Sequence, residues 1–497
     1  MKRLLVLMAT IVAAGSLCAA PAGAARSFFG YERPAVHEVH SEALPVPLRD
    51  GGHLACRLHR PADAAGKPVS GRFPGIVYDF NAYDNLDQLA AESAYFVRRG
   101  YNVLSCNARG SGASPGRIDP FSAQEQADNH DVIEWLAARP WSTGRIGQLG
   151  VSYGAHAALL VATSKPPHLE TIIPVNGISD WYENTIYRGG IYSARIRDWQ
   201  RQVAPDTLRT YAEHPYYDDF WRERSVKDRW SELDIPVLEI NGWRDRYRGG
   251  MVENFQARRE NVWLVSGPWE HGLPAGQPAG IGPGEYLAWF DRWLGGRRAP
   301  LPPAKVTSHG TPDEGWRAFS DWPPAEADRT RFALTTAGEL ARSPGAPGTR
   351  EYRVNTETTP AEPGEKLTFG TPPLRRDLVL AGRPKAEIEA SVTASDGNLA
   401  AVLEDVAPDG STTRVSAGWL KLSHRHGHTA PAPVHSGQWY RTTVDLWPVH
   451  HRLAAGHTLR LTVASDDYPE IDSDAPAGSV ALRLGAGGSA LTVDVLR

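Results

Sequence analysis

The chain begins with alternating apolar and polar positions and continues with short apolar runs separated by helical periods. Residues 38–59 alternate around a turn at 49–52, which predicts a β-hairpin. Short apolar runs predict the strands of a buried sheet at 73–78, 102–106, 146–149, 172–175, 236–240 and 262–265. Helical periods between them predict helices at 89–99, 121–138, 155–163 and 286–294. Strands that alternate with helices through short connections predict an α/β domain whose parallel sheet is covered on both faces.

Two stretches depart from this alternation and divide the chain. Residues 176–233 are rich in aromatic and polar side chains, and we interpret them as a helical cap inserted over the site; a plain additional helical layer is the alternative. Beyond residue 303, short alternating strands lie between Gly, Pro and Asp turns. The sequence thus predicts an α/β domain at 25–298 and an all-β jelly roll of galactose-binding type at 304–497.

The first residues have the pattern of an export signal. Lys2 and Arg3 precede an apolar stretch at 4–17, and the small residues at 22–24 form a cleavage site. We therefore predict a signal peptide at 1–24 and a secreted or periplasmic protein. Cys18 follows Leu17 rather than a small residue, which argues against lipid attachment at that cysteine.

Composition excludes several partners. The chain carries 53 Lys and Arg against 57 Asp and Glu, a net charge of −4 without a basic patch, so no nucleic-acid partner is expected. No membrane span, cofactor fingerprint or preferred oligomeric state is indicated.

Cys56 and Cys106 both lie on predicted strands, where they form either a disulfide or two buried thiols. The histidines at 424, 426 and 428 indicate a solvated loop rather than a metal site.

Residues 150–154 have the pattern of a catalytic motif. Gly150-x-Ser152-x-Gly154 stands between a predicted strand and an apolar helical run, which is the context of a nucleophile elbow. The glycines allow close backbone approach, so Ser152 is presented above the sheet. The amide of Tyr153, at the start of the helix, would face an oxyanion formed at Ser152. The sequence predicts Ser152 as the nucleophile of an acyl transfer.

A serine nucleophile needs a base and an acid that orients the base. In this fold the chain order is serine, acid, histidine, with each residue on a loop at the end of a strand. Asp245 follows the predicted strand at 236–240, and His271 follows the one at 262–265. Chain order, residue type and placement therefore predict a catalytic triad of Ser152, Asp245 and His271.

Rival residues fit these conditions less well. Ser114 also stands in a Gly-x-Ser-x-Gly pattern, but Pro115 follows it and no apolar helix does, so a role in a turn is expected. His156 lies four residues along the elbow helix and is expected to pack in the core. Asp234 precedes its strand and lies at the wrong end of the sheet.

Several motifs occur together in an order that resembles the cocaine esterase and X-Pro dipeptidyl-peptidase family of serine hydrolases. They are Leu48-Arg49-Asp50-Gly51, Asn81-Ala82-Tyr83-Asp84, Asn107-Ala108-Arg109-Gly110, Gly150-Val151-Ser152-Tyr153-Gly154, Gly242-Trp243-Arg244-Asp245 and Gly267-Pro268-Trp269-Glu270-His271. The resemblance implies an α/β-hydrolase fold with a C-terminal jelly roll, the same triad, and no cofactor. It also implies that the phenol of Tyr83 joins the Tyr153 amide in an oxyanion hole; the residues alone do not distinguish Tyr83 from Tyr78.

The substrate stays open between two classes. The segment 178–182 is similar to the dipeptidyl-peptidase branch, whereas 242–245 is closer to the esterase branch. The carboxylates of Asp180 and Glu183, beside Trp181 and Tyr182, are candidates to bind a substrate ammonium group; ordinary solvated charges on the cap are the alternative. We expect a small ester or short peptide as the substrate. An inactive binding protein, whose β-sandwich docks polysaccharide or a cell surface, is the alternative.

Overall fold

The computed structural model describes residues 27–472 and 474–497 of the chain, so the predicted signal peptide lies outside the described residues. The first twelve strands are β1 (Glu38–Pro47), β2 (His53–Ala62), β3 (Phe73–Tyr78), β4 (Asn102–Cys106), β5 (Ser142–Val151), β6 (Leu169–Val175), β7 (Tyr187–Arg188), β8 (Ile191–Tyr192), β9 (Val237–Gly242), β10 (Val262–Gly267), β11 (Val306–His309) and β12 (Trp316–Phe319). The eight α-helices that the structure describes are α1 (Leu86–Val97), α2 (Ala123–Ala137), α3 (Tyr153–Thr163), α4 (Ala194–Val203), α5 (Thr207–Ala212), α6 (Asp219–Glu223), α7 (Arg248–Ala257) and α8 (Pro283–Trp293).

Ten of these strands form one sheet in the order β1-β2-β4-β3-β5-β6-β9-β10-β11-β12. The six central pairs, from β4 through β11, are parallel. Buried side chains of α2, α3 and α7 belong to the core on one face of the sheet, and those of α1 and α8 belong to the core on the other. Because parallel strands buried on both faces end at one edge, loops after β5, β9 and β10 meet there.

The sheet continues past the predicted domain boundary at 304. Strand β11 pairs in parallel with β10, and β12 pairs with β11, so both lie in the N-terminal sheet. Trp243 of the N-terminal part also contacts this region. Its indole donates a hydrogen bond to Ser308 Oγ at 3.0 Å, and its ring stacks on Trp322 with the centroids 4.9 Å apart. These two strands are therefore structurally part of the α/β unit, although the predicted boundary assigns them to the C-terminal domain.

The insertion between β6 and β9 is mostly helical, as predicted, with one small addition. It contains α4, α5 and α6, a π-helical turn at Tyr182–Ile186 and a 3-10 segment at Lys227–Glu232. The added feature is a hairpin formed by β7 and β8, each of which has two residues. Buried aromatic rings, among them Tyr211 and Trp221 packed 4.9 Å apart, form the interior of this cap.

The remaining chain is all-β. Its strands are β13 (Asp328–Leu334), β14 (Leu340–Ala341), β15 (Gly348–Arg353), β16 (Lys366–Gly370), β17 (Leu378–Gly382), β18 (Lys385–Val392), β19 (Asn398–Val406), β20 (Thr412–Lys421), β21 (Trp439–Asp445), β22 (Val449–Leu453), β23 (Thr458–Ala464), β24 (Ser479–Leu484) and β25 (Ala490–Leu496). They form a nine-stranded and a four-stranded sheet. Buried residues of both sheets, such as Ile388 and Leu461, share one core.

Two further features bear on the sequence predictions. Cys56 of β2 and Cys106 of β4 lie opposite each other in an antiparallel pair, and they form a disulfide. Of the two alternatives that the sequence leaves open, the structure has the disulfide rather than two thiols. Within residues 27–472 and 474–497 there is no helix with the length and apolar content needed to cross a bilayer.

Candidate active site

Ser152 stands at the apex of a tight turn between β5 and α3. Its backbone has φ 57° and ψ −110°, a strained conformation for a residue other than glycine. A Cβ at position 150 would lie 2.2 Å from the Gly154 backbone, and one at position 154 would lie 2.1 Å from Asp79 Oδ1. Both glycines are therefore required by the close approach of strand, helix and loop, and the turn presents Ser152 at the edge where the strands end.

The structure brings Ser152, His271 and Asp245 together. His271 Nε2 lies 2.9 Å from Ser152 Oγ, and His271 Nδ1 lies 2.5 Å from Asp245 Oδ2. The Asp245 carboxylate is fully buried, and its Oδ1 accepts a hydrogen bond from the Tyr247 amide at 2.6 Å. A buried carboxylate that holds one imidazole nitrogen leaves the other nitrogen free to take the serine proton. That these residues act as a triad stays a prediction.

Asn176 holds the loops of the acid and the histidine in place. It follows β6 with φ 53°, and its Nδ2 donates to the Gly272 carbonyl at 2.8 Å. Its Oδ1 accepts from the Gly242 amide at 3.3 Å. The sequence indicates Asn176 only as the first residue of the insertion, although its position directly after a buried strand is a signal for a functional loop residue.

Tyr83 lines the same cavity as Ser152, on the loop after β3. The indole of Trp199 donates to the Tyr83 hydroxyl oxygen at 3.0 Å, so the hydroxyl proton stays available for another acceptor. Burial raises the pKa of Tyr83 to about 12, which keeps this phenol protonated at neutral pH. Tyr78, the residue that sequence alone did not separate from Tyr83, donates its hydroxyl to Glu92 instead.

Asp79 connects the serine turn to the Tyr83 loop. Its buried carboxylate accepts from the Val151 amide at 3.0 Å and from Asn81 Nδ2 at 2.8 Å. Asn81 Oδ1 in turn accepts from the Tyr83 amide at 2.6 Å. Burial raises the pKa of Asp79 to about 6, although these hydrogen bonds offset part of the effect. This network could not be predicted from the sequence, because a polar residue after a strand is common in loops.

The cavity above Ser152 has a volume of about 300 Å³. The rings of Phe121, Trp181 and Trp199 form one wall of it, and most of that wall belongs to the cap. Aromatic rings in a cavity wall exclude water and accept apolar groups. The arrangement suits a small molecule with an apolar part.

Two predicted ammonium ligands do not reach this cavity. Asp180 and Glu183 each lie 3.2 Å from Lys227 Nζ, and neither lines the cavity. Tyr182 also lies away from the cavity and donates its hydroxyl to a backbone carbonyl at 2.7 Å, whereas Trp181 does line it. Both carboxylates face the half-buried Lys227 rather than the cavity, so the structure does not support the prediction that Asp180 and Glu183 bind a substrate ammonium group.

The rival residues have structural roles. Ser114 Oγ accepts from the Ala55 amide at 2.9 Å and donates to the Asn107 carbonyl at 2.7 Å. His156 is buried, with its ring nitrogens 3.1 Å and 2.8 Å from two backbone carbonyl oxygens. In the histidine segment of the C-terminal region, His428 Nε2 lies 3.6 Å from Glu183 on the cap.

Glu125 of α2 is buried beneath Tyr153, whose hydroxyl donates to Glu125 Oε2 at 2.6 Å. Burial raises the pKa of Glu125 to about 8. Between the ordinary carboxyl pKa and that value, the folded chain keeps a proton that the unfolded chain releases. Stability therefore falls as pH rises through this window, because the unfolded state binds fewer protons.

We expect Glu125→Gln to remove that loss, since a glutamine does not ionise. The difference in melting temperature between the variant and the wild type should therefore increase in favour of the variant as the pH is raised from about 5 to about 9. Each pKa unit corresponds to about 1.4 kcal/mol at most. Scanning calorimetry across pH measures the difference. A difference between the two proteins that stays constant across this range contradicts the titration of Glu125.

Most of the chain is similar in sequence to known families of proteins. The family model for the X-Pro dipeptidyl-peptidase (S15 family) matches residues 50–203 and 192–273. The model for the X-Pro dipeptidyl-peptidase C-terminal non-catalytic domain matches residues 298–487. The cocaine esterase of Rhodococcus sp. is 26% identical over 88% of this chain and 92% of its own length. The Xaa-Pro dipeptidyl-peptidase of Lacticaseibacillus rhamnosus is 23% identical over 84% of this chain and 65% of its own length.

Solved structures share the fold. A CocE/NonD family hydrolase from Staphylococcus aureus superposes with a TM-score of 0.81 at 22% identity, covering 92% of this chain and 94% of its own. An alpha-amino acid ester hydrolase gives a TM-score of 0.78 at 20% identity, covering 96% of this chain and all of its own. These similarities confirm the predicted fold class, an α/β-hydrolase domain with a cap and an all-β C-terminal region.

Proposed function

Since the chain belongs to the cocaine esterase and X-Pro dipeptidyl-peptidase family of hydrolases, we propose that it cleaves its substrate through an acyl-enzyme on Ser152. The observation that carries the proposal is the position of His271, which is within hydrogen-bond distance of both Ser152 Oγ and the buried Asp245 carboxylate. Because this arrangement makes a serine hydroxyl nucleophilic, it supports acyl transfer.

The proposed steps use only side chains of the site. Ser152 Oγ attacks the substrate carbonyl carbon while His271 Nε2 takes the serine proton, and Asp245 stabilises the resulting imidazolium. The carbon–oxygen or carbon–nitrogen bond then breaks, and His271 returns the proton to the leaving group. Water, deprotonated by His271, attacks the acyl-enzyme and releases a carboxylic acid, which restores Ser152.

Negative charge on the substrate oxygen needs donors that are already in place. We assign this role to the amide of Tyr153 and the hydroxyl of Tyr83. Tyr153 is the first residue of α3, where a helix amide has no partner within the helix. The Tyr83 hydroxyl already accepts a hydrogen bond from Trp199, which orients its proton away from that indole.

Ester hydrolysis is favoured over X-Pro dipeptide release. A dipeptidyl peptidase must bind the free amine of its substrate, but no Asp or Glu is among the described residues that line the cavity. The two carboxylates that would serve are paired with Lys227. X-Pro dipeptidyl-peptidase activity is the second candidate, which the similarity to the Lacticaseibacillus rhamnosus enzyme favours.

A substrate panel tests the proposal. Purified protein is assayed with a short-chain 4-nitrophenyl ester and with an Ala-Pro 4-nitroanilide, and a fluorophosphonate is used to label the nucleophile. We expect release from the ester and a phosphonyl adduct on Ser152 by peptide mass spectrometry. Preference for the anilide would establish the peptidase instead. Failure to label Ser152 would favour the inactive binding protein.

Tyr83→Phe should lower kcat on the ester by about a hundredfold or more and change KM little, because the lost donor acts mainly on the developing oxyanion. Steady-state kinetics measure this split. Tyr78→Phe is the matched control, since the Tyr78 hydroxyl donates to Glu92 away from the cavity. Equal losses of kcat in both variants would argue against an oxyanion role for Tyr83.

We also propose that the protein is exported by the predicted signal peptide at 1–24. The Cys56–Cys106 disulfide supports this proposal, because structural disulfides persist chiefly in oxidising compartments. N-terminal sequencing of the protein recovered from the producing cells tests the predicted cleavage site.

A further inference from the structure

The cavity above Ser152 has three arginines in its lining. Arg188, Arg195 and Arg246 line it together with Ser152 and His271. None of the described lining residues is Asp or Glu. Arginine remains protonated at any physiological pH, so three residues of the cavity lining each carry a positive charge. Such a cavity favours a ligand of negative charge.

Arg188 is the most buried of the three, with 3% of its surface exposed. Its guanidinium lies over the rings of Trp419 and Trp447, at 5.2 Å from each centroid. Its Nε and Nη1 atoms have no hydrogen-bond partner in the part of the chain that the structure describes. A buried guanidinium with unpaired N–H groups is unfavourable by itself, and an anion nearby stabilises it.

The Glu470 carboxylate lies near two of the three arginines. Glu470 Oε1 lies 3.1 Å from Arg195 Nη1, and Glu470 Oε2 lies 4.0 Å from Arg188 Nη1. Glu470 does not line the cavity, and its single charge balances only one of the three guanidinium groups. The site thus keeps a net positive charge after its nearest acidic neighbour is counted.

Arg246 is placed closest in sequence to the reacting groups, one residue after Asp245. It is half-buried, and it makes no ion pair or side-chain hydrogen bond among residues 27–472 and 474–497. No ion pair joins it to the Asp245 carboxylate, whose oxygens lie at His271 and the Tyr247 amide. With Asp245 and Glu470 both counted, one of the three guanidinium charges is still unbalanced. Arg246 is therefore available to a substrate bound at Ser152.

We propose that the preferred substrate is an ester that carries a carboxylate, held by Arg188, Arg195 and Arg246 while its carbonyl lies at Ser152. This inference rests on the proposed serine hydrolase activity and names the substrate class of that site. The aromatic wall accepts the apolar part of the same molecule. The carboxylate belongs either to the acyl group or to the alcohol, and both sources present the same charge to the arginines.

Matched substrates separate the two sources. For the acyl side, the mono-4-nitrophenyl ester of glutaric acid is compared with its uncharged amide analogue. For the alcohol side, 3-(butanoyloxy)benzoate is compared with the corresponding benzamide. We expect kcat/KM to be higher for the charged member of at least one pair, by about tenfold or more, which is the effect of one charge-assisted hydrogen bond. Added salt should reduce that preference.

Arg246→Gln should lower the charged-to-uncharged ratio of kcat/KM by about tenfold, since one guanidinium is lost. Arg195→Gln is a second variant at an exposed position and should lower the ratio in the same direction. Arg244→Gln is the matched control, because Arg244 is exposed and does not line the cavity. An equal ratio in Arg246→Gln and Arg244→Gln, or no preference in the wild type, overturns the proposal.

A binding measurement keeps this test separate from the proposed chemistry. Calorimetric titration of Ser152→Ala with the charged and uncharged esters needs no turnover. Tighter binding of a charged ester, lost in Ser152→Ala/Arg246→Gln, supports the anion site even if the wild type hydrolyses neither ester. Equal binding of both esters by Ser152→Ala refutes the anion site, whereas Ser152-dependent hydrolysis of an uncharged ester leaves the serine hydrolase standing.

Discussion

Replacement of Ser152 by Ala is expected to lower kcat on an ester substrate by about a millionfold, to a residual rate set by binding and the oxyanion donors. Without the hydroxyl no acyl-enzyme forms, and His271 has no serine proton to take. Stopped assays with high enzyme concentration measure the residual rate. The melting temperature should stay close to that of wild type, because Ser152 Oγ contacts only His271 among the side-chain hydrogen bonds described.

Ser114→Ala is the matched control for this loss, since Ser114 stands in the same Gly-x-Ser-x-Gly pattern. Its hydroxyl bonds only the backbone of residues 55 and 107. We expect it to retain kcat and to lose about 1 kcal/mol or more of stability, because a buried amide is left without an acceptor. A large loss of kcat in Ser114→Ala together with full activity of Ser152→Ala would reverse the assignment of the nucleophile.

Asp245→Asn should lower kcat by about ten-thousandfold. An asparagine amide can donate to His271 Nδ1, which places the ring proton on Nε2 and leaves no lone pair for the Ser152 hydroxyl. The packing around this fully buried side chain is otherwise kept. Rate measurements over a range of pH, with circular dichroism to verify folding, test the loss.

Asp234→Asn provides the comparison for Asp245→Asn. Asp234 precedes β9 whereas Asp245 follows it, and Asp234 forms a partly exposed ion pair with Lys165 at 3.1 Å. Because Asp234 lies at the opposite end of β9 from Asp245 and its ion pair is exposed, kcat should be unchanged. Activity of Asp245→Asn within tenfold of Asp234→Asn would show that Asp245 does not orient His271.

Periodicity predicted the sheet more accurately than the cap. The bounds of β3 and β4 agree with the apolar runs at 73–78 and 102–106, because strands buried on both faces are continuous apolar segments. The hairpin β7–β8 was missed, since two residues per strand give no measurable alternation. The disulfide stayed open because pairing of β2 with β4 depends on topology, which periodicity does not report.

The positions of site residues could be predicted where the order of strands along the chain determines them. They could not be predicted where an ion pair with a distant residue determines whether a side chain is available. Serine, acid and histidine at three strand ends were expected to meet, and they do; their catalytic role stays a prediction. Asp180 looked available because Lys227, its partner, lies 47 residues further along the chain. The sequence does not single out Arg246, because one arginine after an aspartate has no distinctive pattern. Its significance depends on Arg188 and Arg195 from a distant segment.

Because β11 and β12 extend the central sheet, the chain cannot be truncated or recombined at the boundary between its two family matches without disturbing that sheet. A gene fragment that stops at residue 298, where the second family model begins, would leave the β10 edge without its neighbour. It would also remove Ser308 and Trp322 from beneath Trp243, two residues before Asp245. Recombination that exchanges C-terminal regions between relatives should therefore place its crossover after residue 323, so that both strands travel with the domain they complete.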